Sequence, residues 1–103
     1  MPRKEKLYER RLRRPLDDAT REAIVSLYHE RRHQIPVETE LHWHPAQPRF
    51  TLRSRWVSFH GHFTPDTLVV DAELSLTARL MATDEHRGQA VRFLDAIVND
   101  LGL

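Results

Sequence analysis

The stretch FTLRSRWVSFHGHFTPDTLVVDAELSL, residues 50–76, decides the fold. Apolar and polar residues alternate through most of it, which is the period of a strand with one buried face. Leu68, Val70, Ala72, Leu74 and Leu76 take one side, against Val69, Asp71, Glu73 and Ser75 on the other. Thr64-Pro65-Asp66-Thr67 places proline at the second position of a turn, where its fixed φ fits a type I geometry. Val57, Phe59, Gly61 and Phe63 continue the inward face of Phe50 and Leu52 only after a one-residue change of phase near residues 54–56. That change requires a tight turn or a bulge. Trp56 falls on it and is the aromatic expected to be most exposed. Gly61 inside a strand signals a bulge or a close backbone approach. Together these features predict an antiparallel meander with one wet face.

Working outward, a further strand is expected over 37–43. Thr39, Leu41 and Trp43 face inward there, with Glu38, Glu40 and His42 outward. The rigid loop His44-Pro45-Ala46-Gln47-Pro48 then leads into the meander. Upstream, Leu16, Ala19, Ala23, Ile24, Leu27 and Tyr28 recur at spacings of three and four. They predict a helix over 17–33, with Asp17 as N-cap. A weakly alternating strand, KLYERRL at 6–12, precedes it. A second helix is expected from Thr83 or Asp84 to Leu101, its stripe formed by Ala90, Val91, Leu94, Ile97 and Val98, and closed by Gly102. The order strand, helix, strands, helix predicts an α+β fold: an antiparallel sheet of four to five strands with two helices on one face. The chain, 1–103, is expected as a single domain, with room for a disordered basic arm at 1–6.

Composition narrows the chemistry. The chain has no cysteine, which excludes disulfides, thiol catalysis and cysteine-ligated zinc. No apolar run approaches the roughly 20 residues of a membrane span. The start has positive charge but no apolar core behind it, unlike a secretory signal. A bacterial cytoplasmic location is expected. Net charge is +1, yet residues 1–14 carry +5 and the remainder −4. Arg10, Arg11, Arg13 and Arg14 are therefore candidates for an anionic contact, against the alternative of charge guarding an edge strand.

The sites are few. No nucleophile elbow, phosphate loop or His-Glu-x-x-His helix occurs, so no catalytic residue is assigned and a non-enzymatic role is expected. The pairs His42/His44 and His60/His62 each put two imidazoles on one strand face, the residue type that zinc prefers. If sequential strands pair, the strand at Phe50 separates them by about 10 Å. No metal or cofactor is assigned on that basis. Trp56, beside Arg53 and Arg55, is the candidate for stacking on a base or lying on an apolar surface.

A basic strand ends in Pro-Leu at residues 7–16, before a helix bearing alanine and arginine. With residues 50–52, the step Phe59-His60-Gly61, the run 68–74 and the last amphipathic helix, it resembles the short bacterial polyhydroxyalkanoic acid system proteins. These are encoded near genes for storage-polyester granules. The resemblance implies a non-enzymatic accessory protein whose partners are the granule surface or granule proteins. It implies no catalytic residues. The alternative is a nucleic-acid-binding module that uses the basic N-terminal strand.

Overall fold

The computed structural model describes residues 3–35, 38–75 and 84–103. Its elements are β1 (Arg3–Arg11), α1 (Asp18–Arg31), β2 (Thr39–Trp43), β3 (Arg49–Ser54), β4 (Val57–Phe63), β5 (Thr67–Leu74) and α2 (Asp84–Asp100). The five strands form one antiparallel sheet in the order β1-β5-β4-β3-β2. The fold is α+β, in the predicted order of strand, helix, strands, helix. Residues 3–6, expected as part of a basic arm, are instead the start of β1. The expected Thr83 cap, and the segment between β5 and α2, lie outside the described residues.

The core follows from alternation in the strands. Every second residue of β5 is buried: Leu68, Val70, Ala72 and Leu74. Register carries that face across the sheet, so one rung reads Tyr8, Val70, Gly61, Phe50, Trp43. Both helices cover this side. From α1, the Arg21 guanidinium sits 5.1 Å from the Trp43 ring centroid, and the Tyr28 hydroxyl bonds that of Thr39. From α2, Ile97 and Val98 are buried in the same cluster as Tyr8, Phe63 and Val70.

Local chemistry sets the helix ends. Asp17 has extended backbone, and its carboxylate accepts from the Thr20 N–H at 2.7 Å, satisfying a free donor of the first turn. Gly102 takes φ +67 past the end of α2. This conformation suits glycine and lets the N–H groups of Gly102 and Leu103 reach the carbonyls of Asn99 and Val98, both at 3.1 Å. Leu103 is thereby turned into the core beside Val98.

Two expectations are corrected or resolved. Ala19 is exposed and Thr20 is buried, so the apolar stripe of α1 runs through Thr20, Ile24 and Tyr28. Thr20 tolerates burial because its hydroxyl accepts from Arg14 at 2.8 Å. Gly61 marks a close approach rather than a bulge. Its register is regular on both sides, and a Cβ there would overlap Cε1 and Cζ of the Phe50 ring.

Candidate functional site

The phase change in the meander is a two-residue turn, Arg55–Trp56, between β3 and β4. Ser54 closes it: its hydroxyl donates to the Val57 carbonyl at 2.7 Å and accepts the Val57 N–H at 3.2 Å. The Ser75 N–H donates to the Trp56 carbonyl at 3.2 Å, tying the turn to the end of β5. With its backbone so held, Trp56 projects at the end of the sheet, 42% exposed, and is the exposed large hydrophobic among the described residues. The Arg55 guanidinium lies 5.0 Å from its ring centroid, a cation–π contact that orders the pair without burying the indole. Beside this turn, Arg32, Arg53 and Arg55 line an open cleft of about 420 Å³ with Glu38 and Glu40.

The N-terminal arginines divide between two roles; Arg10 and Arg11, neighbours at the end of β1, point to opposite faces of the sheet. Arg10 points to the helix side, donating to Asp95 at 2.9 Å and to Asn99 at 2.6 Å. Arg14 donates to the Thr20 hydroxyl and to the Leu101 carbonyl, each at 2.8 Å. These two fasten α2 against β1 and α1. Arg11 and Arg13 are exposed, with no ion-pair partner among the described residues. The four arginines therefore do not form a single patch.

Tyr8 strengthens the same clasp. Its hydroxyl donates to the Asp95 carboxylate that Arg10 also engages. Burial, then the Asp95 bond, push the Tyr8 phenol up to about 12. The Tyr8 bond foremost, with Arg10, holds Asp95 below the usual carboxylate range.

The histidines have separate environments. His42 bonds Glu40 at 3.2 Å on the exposed sheet face, while Nδ1 of His44 accepts the N–H groups of Ala46 and Gln47 at 3.1 and 3.0 Å and shapes the loop. His62 is exposed. β3 lies between β2 and β4, so the two pairs do not converge. No group of three potential ligands is assembled among the described residues.

His60 has a role that sequence reading missed. Its Nε2 meets Glu73 at 2.8 Å and its Nδ1 meets the Thr51 hydroxyl at 3.2 Å, linking three adjacent strands. Hydroxyl, imidazole and carboxylate stand in series, as they do in a nucleophilic relay. Here the hydroxyl sits mid-strand on an open face, where neighbouring strands occupy the backbone donors that would hold an oxyanion. The series acts as a cross-strand brace. Cross-strand register alone connects these residues, and the sequence carries no signal of it.

No family model, curated protein or solved structure matches the chain. Among the described residues, no helix is long and apolar enough to cross a membrane.

Proposed function

We propose that this chain is a non-enzymatic, cytoplasmic accessory protein that docks through its Trp56 turn onto polyhydroxyalkanoate storage granules or their coat proteins. The observation that carries the proposal is the exposed Trp56 indole on a turn whose backbone is fixed by Ser54 and Ser75. A held aromatic at a domain's end loses little conformational freedom on contact, so the apolar area it buries goes into binding. The resemblance of residues 7–16, 50–52 and 68–74 to short proteins encoded near storage-granule genes supports this choice of partner. A net charge of +1 leaves little general electrostatic pull, which favours an apolar contact.

Nucleic-acid binding by the basic N-terminal strand is the competing function. It has less to draw on, since Arg10 and Arg14 are engaged by α2 and α1 and the charge of Arg11 already acts on Asp66, leaving Arg13 the least engaged of the four. Imaging tagged protein in granule-filled cells tests the proposal. Granule-bound fluorescence that becomes diffuse on Trp56→Ala supports it; diffuse wild-type fluorescence contradicts it.

A further inference from the structure

The sheet face opposite the helices carries an ordered pattern of charge. One rung across all five strands reads Lys4, Glu73, Ser58, Arg53, Glu40. The signs run plus, minus, neutral, plus, minus from β1 to β2. Lys6, Asp71 and Arg49 repeat the signs of their strands, with His60 and His62 along the middle strand; Glu9, paired to Lys6 at 2.9 Å, is the exception.

The two cations of this rung find no carboxylate within the chain among the described residues. Lys4 lies opposite Glu73 and Arg53 opposite Glu40, yet neither couple forms an ion pair: Glu73 turns to His60 at 2.8 Å and Glu40 to His42 at 3.2 Å. Among the described residues, Lys4, Arg49, Arg53 and Asp71 have no ion-pair partner.

We propose that this face binds a second copy of the same chain, with the twofold axis running along β4. Rotation about that axis lays β5 over the partner's β3 and β1 over the partner's β2. Each Glu73 then meets an Arg53, and each Lys4 meets a Glu40, twice by symmetry. A twofold across the strands would instead put like charge on like charge. Aligned sheets cross at about 30°, which displaces β5 by about 2–3 Å and β1 by about 5 Å along their partners, within the reach of arginine and lysine side chains. Five strands of about seven residues offer on the order of 500 Å² per copy, at the lower end of specific interfaces. The dimer is consequently weak, concentration-dependent and sensitive to salt. It leaves the Trp56 turn at the end of the sheet uncovered and stands independently of the granule proposal.

Sedimentation equilibrium of the full chain at low ionic strength tests this. The wild-type mass is expected to rise with concentration from the 12.2 kDa of the chain toward twice that value. Glu73→Arg alone and Arg53→Glu alone each create two repulsions and should weaken association about ten-fold or more. An equimolar mixture of the two variants should return to the dimer mass, because the mixed pair restores both contacts. Circular dichroism checks folding; if Glu73→Arg unfolds for want of its His60 bond, Lys4→Glu with Glu40→Lys gives the same exchange. A monomeric wild type, or a dimer that neither variant weakens, or a mixture that does not recover, overturns the proposal.

Discussion

Arg10, on the first strand, donates to the carboxylate of Asp95 on the last helix at 2.9 Å, across 85 residues of chain. Tyr8 and Asn99 complete the clasp from either side. One of the four arginines that the sequence offers as a basic binding patch is thereby part of what holds α2 on the sheet.

Arg10→Ala should therefore lower the unfolding free energy by about 1 kcal/mol, in the range of a partly exposed charged hydrogen bond. Arg11→Ala should change it by less than about 0.5 kcal/mol, since Arg11 is exposed and its interaction with Asp66 is screened by solvent. Urea denaturation of the two variants checks the contrast.

The same clasp sets a pH dependence. Asp95 titrates below its ordinary value in the folded protein, so its contribution is present above about pH 4 and is lost as pH falls through the depressed folded value. Tyr8 titrates at about 12 instead of 10, so its contribution is complete below pH 10 and is lost as pH rises toward 12. Tyr8→Phe removes the phenol and should flatten the alkaline limb of a stability–pH profile measured by urea midpoints.

Gly61→Ala should cost about 2–3 kcal/mol, because its Cβ would overlap the Phe50 ring in a packed rung. The clash is specific to that ring. In a Phe50→Ala background the penalty should shrink to about 1 kcal/mol or less, a non-additivity that a double-mutant cycle measures directly.

Periodicity made much of the fold legible. Alternation in residues 68–74 located both faces of β5, and Asp17 announced the start of α1 through its capping chemistry. Hydropathy alone draws the stripe of α1 through Ala19, whereas Thr20 is the buried residue, held by bonds from Arg14 and to Asp17. The exposure of Trp56 was legible from the phase change around it. The division of the arginines was not, since Arg10 and Asp95 meet only through tertiary packing. Nor was the brace of Thr51, His60 and Glu73, which depends on cross-strand register.

Trp56→Ala should leave stability within about 0.5 kcal/mol of wild type, as expected for an exposed turn residue outside the core cluster. Thermal unfolding of the variant checks this, and a small change makes any loss of binding attributable to the lost surface.

Co-sedimentation of the purified protein with isolated storage granules at about 1 M salt tests the proposed function most directly, since the Debye length there is about 3 Å and surface charge contacts are screened. Retained wild-type binding, lost in Trp56→Ala and kept in an Arg11→Gln/Arg13→Gln variant, is the predicted result. Binding that vanishes in high salt, or that survives Trp56→Ala unchanged, would contradict docking through the Trp56 turn.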